Sequence, residues 1–246
     1  GLTVKAFFAS DYAGVIEALR FGHAHVAFMG AWPASLAHEH GGAEVVLAEI
    51  RDVLVDGSLV QAPSYTSSWI VLKDSPYQSL EALRGKRVAF PSQLSTSGYV
   101  APLAKLLELG LIQRGDAAAD PKQFFGAVTF AGGYAQAWEA LKAGQVDVAV
   151  IAGDVPEPLY REVMAGTRAL LTQGPIPSHA VVFSPTLTDP LRGQVRQALL
   201  SLHRRPELVK QFISGIFVRF EPTTTEAHLG PLAQWLDATG LASVDS

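Results

Sequence analysis

Glu17-Ala18-Leu19-Arg20-Phe21-Gly22-His23-Ala24-His25-Val26-Ala27 and Glu139-Ala140-Leu141-Lys142-Ala143-Gly144-Gln145-Val146-Asp147-Val148-Ala149 are two versions of one pattern. Glu, Ala, Leu, Gly, Val and Ala coincide, Arg stands against Lys, and the same offset aligns Tyr12 with Tyr134. Each copy reads as a helix with apolar residues at helical spacing, a glycine stop and a short apolar strand. Each begins with a tyrosine at a helix N-terminus. The repeat predicts two similar α/β lobes, although a shared βαβ packing rule would produce the same likeness.

Outward from the first copy, residues 2–9 are β-like and Asp11 is a good N-cap for a helix over 12–21. A strand over 26–30, a helix over 32–39 with Pro33 near its first turn and a strand over 45–50 follow. Residues 51–64 read as a loop or an irregular hairpin, 67–72 as a strand and 79–85 as a short helix. Strand and helix then alternate to about residue 152, the pattern of a mainly parallel sheet covered by helices. Residues 170–177 link back to a strand over 180–183. Helices over 191–203, 206–213 and 231–236 are expected to pack on the first lobe. No low-complexity linker appears, so strand-like crossings near 67–72 and 172–177 are expected to join a first lobe (1–72 with 175–246) to a second (73–174). That arrangement makes a cleft and permits hinge closure on a ligand.

Composition narrows the function classes. Hydrophobic residues make up 48% of the 246 and charged residues 17%, enough for a core and unlike a disordered chain. A net charge of -4 without a Lys/Arg run argues against a general nucleic-acid surface. No apolar stretch reaches membrane-spanning length. Cysteine is absent, which removes disulfides, thiolate metal sites and cysteine catalysis. The chain starts at Gly1 without a signal peptide, and a processed or truncated N-terminus is the expectation.

The chemistry concentrates in Pro91-Ser92-Gln93-Leu94-Ser95-Thr96-Ser97-Gly98-Tyr99, between an apolar strand over 87–90 and a helix starting near Tyr99. Unpaired N–H groups and the dipole at a helix start favour an anion, and Ser95, Thr96 and Ser97 add hydroxyl donors without formal charge. The alternative is that one hydroxyl caps the helix and the others are solvated. Gly132-Gly133-Tyr134 reads as a similar turn, and Asp11-Tyr12 is a third helix start. Parallel α/β sheets place ligands at the carboxyl ends of their strands, so all three starts can face one cleft. Motifs for catalysis are absent: no GxSxG, no GxxxxGK[ST], no HExxH. No neighbouring His is suggested for Ser97 as a nucleophile. His23 and His25 would share a strand face with His38 and His40 nearby, but the twin positions hold Gln145 and Asp147, so neither a metal site nor a cofactor is expected. Tyr65, after Pro63-Ser64, reads as core or rim.

These stretches resemble a known family. Phe7-Phe8-Ala9-Ser10-Asp11-Tyr12-Ala13-Gly14-Val15-Ile16 is similar to its first signature, and Pro63 to Tyr65 with Ile70-Val71-Leu72-Lys73-Asp74-Ser75-Pro76 to its second. Leu94-Ser95-Thr96-Ser97-Gly98-Tyr99 with Pro102 resembles the third, and Ala143-Gly144-Gln145-Val146-Asp147-Val148-Ala149 the fourth. The family is that of the phosphonate/phosphite periplasmic binding proteins of ABC transporters, with the two-lobe type II periplasmic-binding α/β fold. The resemblance runs from Leu2 to about Phe183. It implies that Tyr12, Tyr65, Ser95, Thr96 and Ser97 hold the oxyanion, with Tyr134 beside them and Asp154 as an acidic pocket position. The sequence departs from the family in three places. Gly133 stands where some phosphonate binders have His, and His179 where aminoethylphosphonate binders have Asp. The family's first strand-helix unit is not found, which implies an incomplete first lobe with an exposed edge.

The implied function is capture of a small phosphorus oxyanion for an ABC permease, by a periplasmic or membrane-anchored extracytoplasmic monomer. The expected ligand is phosphite, then methylphosphonate, with phosphate bound poorly and aminoethylphosphonate disfavoured for want of a second acid. Competing readings are a sensory module on the same fold and an oxyanion-processing hydrolase, in which only His179 or Asp154 could serve as base near Ser97.

Overall fold

The computed structural model describes residues 3–9, 12–55, 57–212 and 215–241. In chain order the elements of the first half are α1 (Tyr12–Arg20), β1 (Val26–Met29), α2 (Ala31–Gly41), β2 (Glu44–Val55), β3 (Ser58–Ala62), β4 (Ser64–Leu72), β5 (Arg87–Phe90), α3 (Ala101–Glu108) and β6 (Ala127–Phe130). They continue with α4 (Tyr134–Lys142), β7 (Val148–Ala152), α5 (Glu157–Gly166), β8 (Thr167–Pro177), β9 (Ala180–Phe183), α6 (Leu191–Leu200), α7 (Pro206–Phe212), β10 (Phe217–Pro222) and α8 (Thr225–Thr239). One sheet has the order β1-β9-β2-β10 with β3 added to β2, and the other has the order β6-β5-β7-β4-β8.

The sequence repeat is a structural repeat. α1 and α4 each span nine residues and are followed by Gly22 and Gly144, whose φ angles are 71° and 68°. β1 and β7 follow, one in each sheet. The left-handed backbone at both glycines is why only Gly serves in the turn.

Several expectations are corrected. Residues 3–9 form no strand, and Val4 and Phe8 are largely exposed. The first sheet is antiparallel in all its pairings, whereas only β5, β6 and β7 of the second are mutually parallel. Residues 51–62 are regular: β2 turns at Gly57 (φ 77°) and pairs in register with β3 from Val55↔Ser58 to Arg51↔Ala62. β4 is bonded along its length to β7 and β8, so residues 64–72 belong to the second sheet, which β8 carries on to Pro177. The chain therefore crosses between sheets at residues 62–64 and 177–180, not at 67–72 and 172–177. The last helix starts at Thr225 instead of 231, because the Thr224 hydroxyl caps it by accepting from the Ala227 N–H at 3.2 Å. α8 packs against α3 and α2 alike, so it spans both sheets and does not sit on the first alone.

The main core carries residues from both sheets. Trp69 of β4, Phe90 of β5 and Tyr99 stack edge-on in sequence, with centroids 5.7 Å and 5.3 Å apart. Leu229, Leu232 and Leu236 of α8 join the same cluster as Trp32 of α2 and Leu103 of α3. This packing sets the hydroxyl-rich turn between β5 and α3 against the end of the second sheet.

Candidate functional site

The turn at Ser95–Val100 is built by three constraints. β5 ends in the buried Phe90, and the Tyr99 ring is only 7% exposed, so both ends of the turn are anchored in the core. The Ser95 side chain accepts from the Gly98 N–H at 2.9 Å, and the Val100 N–H reaches back five residues to the Ser95 carbonyl at 3.1 Å. The first turn is thus widened to π geometry, which leaves the N–H groups of Thr96 and Ser97 outside the intrahelical ladder. A Cβ at Gly98 would lie 2.1 Å from Pro91 Cγ, so no larger residue fits there. The capping alternative therefore holds for Ser95, while Thr96 and Ser97 do something else.

Thr96 reaches across to the start of α2, while Ser97 links two tyrosines of the second unit. The Thr96 hydroxyl accepts from the Trp32 N–H in the first turn of α2 at 3.1 Å. The Tyr65 phenol donates to Ser97 Oγ at 3.2 Å, and Ser97 Oγ lies 2.7 Å from the Tyr134 hydroxyl at the start of α4. Burial raises the ionisation of both phenols above the ordinary value, and the nearby Asp154 charge raises it further. Both tyrosines remain neutral O–H donors at physiological pH.

These residues line a cavity of about 240 Å³ between the sheets, with Gly30, Ala31 and Pro33 on one wall, Ser92 and Leu94 on the other, and Asp154 and His179 near the crossings. Among the described residues no lysine or arginine lines it. A larger cavity of about 310 Å³ is walled mainly by Pro63, Pro175, Pro177, Pro222 and Pro231, and lacks such a convergence of donors. The smaller one carries the chemistry. Among the described residues its donors are uncharged hydroxyls and helix-start N–H groups, and its one carboxylate is Asp154.

Asp154 is not isolated. Arg51 Nη1 donates to its Oδ2 at 2.7 Å, and the two side chains are 7% and 12% exposed. Burial raises the Asp154 carboxyl above its ordinary value, and the Arg51 charge and a hydrogen bond from Tyr65 act against that rise. Glu49 lies behind, 2% exposed, with Oε1 at 3.6 Å from Arg51 Nε and Oε2 at 3.9 Å from His179 Nδ1. Desolvation, Arg51 and His228 together hold the His179 imidazole below its ordinary value, hence neutral. Its side chain is 40% exposed, so the depression is smaller than for an enclosed imidazole.

Of the residues singled out in the sequence, Tyr65, Ser95, Thr96, Ser97, Tyr134, Asp154 and His179 meet in this cavity. Gly133 does not line it. It stands behind as the extended N-cap of α4, and a Cβ there would meet only the flexible end of Gln136, at 2.5 Å. The Tyr12 side chain and Asp11 lie outside the described residues. Among the described residues no group of three or more His, Cys, Asp or Glu gathers in metal-binding geometry, and Asp147 is committed to Arg87 at 2.9 Å. Sequence reasoning missed the start of α2 at Gly30–Trp32, since a helix without a polar cap gives no local signal. It also missed Glu49 and Arg51. Their alternation along β2 places both on one face, a signal lost when 51–64 is read as loop.

No helix among the described residues is long and apolar enough to cross a membrane. The model of the family "ABC transporter, phosphonate, periplasmic substrate-binding protein" matches residues 1–229. The phosphonates-binding periplasmic protein of Escherichia coli is 39% identical over 106 residues, which cover 42% of this chain and 29% of that one. The phosphate-import protein PhnD of Mycolicibacterium smegmatis is 34% identical over 149 residues, covering 60% of this chain and 44% of that one. The matched part is thus less than half the length of either relative. A binding-protein component of an ABC phosphonate transporter from Pseudomonas aeruginosa has the same fold, with a TM-score of 0.70 over 98% of this chain and 76% of that one at 24% identity. Fold, family match and relatives agree: the chain belongs to the periplasmic substrate-binding proteins of phosphonate ABC transporters, a family of binding proteins and not of enzymes.

Proposed function

We propose that the chain captures a small phosphorus oxyanion, phosphite or a short alkylphosphonate such as methylphosphonate, and delivers it to an ABC permease from an extracytoplasmic position, as a monomer. The observation that carries this reading is the cavity itself: hydroxyls of Thr96, Ser97 and Tyr134 converge with helix-start N–H groups and, among the described residues, a single carboxylate and no cation. Such donors hold an oxyanion by charge-assisted hydrogen bonds yet leave it able to depart. Ala31 and Pro33 give one wall an apolar surface that suits a P–H or P–CH3 face. A fourth oxygen there would be desolvated without a partner, which disfavours phosphate.

Asp154 accepts from a protonated P–OH in this reading. An aminoalkyl ligand would need acidic partners for its ammonium, and among the described residues the cavity lining supplies only Asp154, already paired with Arg51. Glu49 is near but lies behind His179. The test is calorimetry at neutral pH with phosphite, methylphosphonate, aminoethylphosphonate and phosphate. The expected order places phosphite and methylphosphonate ahead of the other two. Aminoethylphosphonate or phosphate binding more tightly than phosphite would overturn this ligand assignment. Replacing His179 by Asp is expected to move preference toward the aminoalkyl ligand.

A further inference from the structure

Arg51 is absent from the cavity lining, yet it touches the one carboxylate that is present. It projects from β2 beneath the crossing at 62–64, and its guanidinium is 2.7 Å from Asp154 and 3.6 Å from Glu49. Nothing in the family resemblance assigns it a role. We propose that Arg51 is a positioning residue that sets ligand selectivity: it holds Asp154 as a carboxylate acceptor facing the cavity, so that the cleft selects an oxyanion carrying one P–OH. This rests on the phosphorus-oxyanion reading given above and deepens it by naming the protonation state that the site takes.

The geometry supports the assignment from every side. Asp154 faces Arg51 of β2, Tyr65 of β4 and Tyr134 of α4. Both phenols are donors, so the only charge able to stabilise a carboxylate there is the guanidinium. His179, in the crossing at 177–180, faces Glu49 and Arg51 of β2 and His228 of α8. The same cation therefore discourages a proton on His179, which leaves Asp154 as the sole charged group among the described residues of the lining. A P–OH satisfies that carboxylate. A ligand with no P–OH sets an anionic oxygen against it, repelled and without a hydrogen bond. Phosphite and methylphosphonate lose their last P–OH at the second ionisation, whereas phosphate retains one. Without Arg51, only neutral hydrogen bonds such as that from Tyr65 oppose the effect of burial on Asp154, the carboxyl takes up a proton and becomes a donor, and the preference for a protonated ligand disappears.

The experiment is calorimetric titration of methylphosphonate into the full chain between pH 5.5 and 8.5, for the wild type, Arg51→Gln and Arg51→Lys, with melting curves to establish folding. Wild-type affinity is expected to fall about tenfold per pH unit above the ligand's second ionisation, as the competent fraction does. Phosphate, which keeps a proton throughout, is expected to show a much shallower slope. Arg51→Lys keeps the charge and is expected to keep the slope, while Arg51→Gln changes affinity less than about twofold per unit. A flat wild-type profile, an Arg51→Gln slope equal to the wild type's, or equal flattening in both variants would overturn the proposal. Should Arg51→Gln fail to fold, Asp154→Asn is read in the same way: a flattened slope supports the proposal and an unchanged slope overturns it. Failure of the wild type to bind any of these anions at any pH overturns the functional reading itself, and with it this one.

Discussion

Thr96 and Ser95 are neighbours with the same functional group and different duties. The Ser95 oxygen is spent on the Gly98 N–H, a cap whose loss in Ser95→Ala is expected to cost about 1 kcal/mol of stability. The Thr96 oxygen accepts from Trp32 N–H, and its own proton faces the cavity. Thr96→Ala therefore removes a donor to a charged acceptor, and affinity is expected to fall by about 1.5–3 kcal/mol, roughly ten- to a hundred-fold. It also strands a buried N–H, so a loss of about 1 kcal/mol in stability accompanies the change. Calorimetry and chemical denaturation on the two variants separate these duties; an unchanged affinity in Thr96→Ala would place the hydroxyl outside the binding set. A different residue sets the response to acid. His228 is 7% exposed and its Nε2 contacts the Ser178 carbonyl at 2.9 Å, and burial lowers its ionisation, so it folds neutral. The unfolded chain takes up a proton below about pH 6.5 and the folded chain does not, so stability present at neutral pH is lost as pH falls below that value. The slope is at most about 1.4 kcal/mol per pH unit for one such imidazole, His179 adds a share of the same sign, and His228→Gln is expected to reduce the total in denaturant titrations between pH 5 and 7.

At the scale of elements, the glycines after α1 and α4 are the clearest link from sequence to structure. A Cβ at Gly144 meets nothing within 4 Å, so Gly144→Ala isolates the cost of the left-handed backbone, about 1 kcal/mol. At Gly22 a Cβ would also approach Thr186 Oγ1 to 2.9 Å, and Gly22→Ala is expected to cost more. Equal losses in the two variants, measured by urea unfolding, would contradict this reading. Boundaries that depend on a turn glycine were legible in this way. α8 was not: Thr223-Thr224-Thr225 looks like a break, and Pro231 looks like a start. Only the bond from the Ala227 N–H to the Thr224 hydroxyl shows that the helix begins before the proline. Of the two readings of 51–64, the hairpin holds, with β3 as its second strand.

Across the whole molecule, the cavity draws walls from both sheets, and a ligand that touches both favours the form in which they meet. The Trp32–Thr96 bond already joins the two sides. Small-angle scattering is expected to show a smaller radius of gyration with saturating methylphosphonate than without, the motion centred on residues 62–64 and 177–180. An identical radius in both states would argue against closure. The sequence by itself determined the repeat, the two α/β units and the hydroxyl-rich turn, because each of these is written in local periodicity, glycine stops and helix-start chemistry; Tyr65, Asp154 and His179 of the cavity lining were legible only through the family resemblance. Tertiary structure alone decided which strand belongs to which sheet, since β4 and β8 read as connections until their mutual pairing makes them part of the second sheet. It alone decided the position of α8 across both sheets. And it alone brought Arg51 to Asp154, 103 positions apart in the chain, because an ion pair between a strand and a distant loop leaves no mark on the residues around either partner.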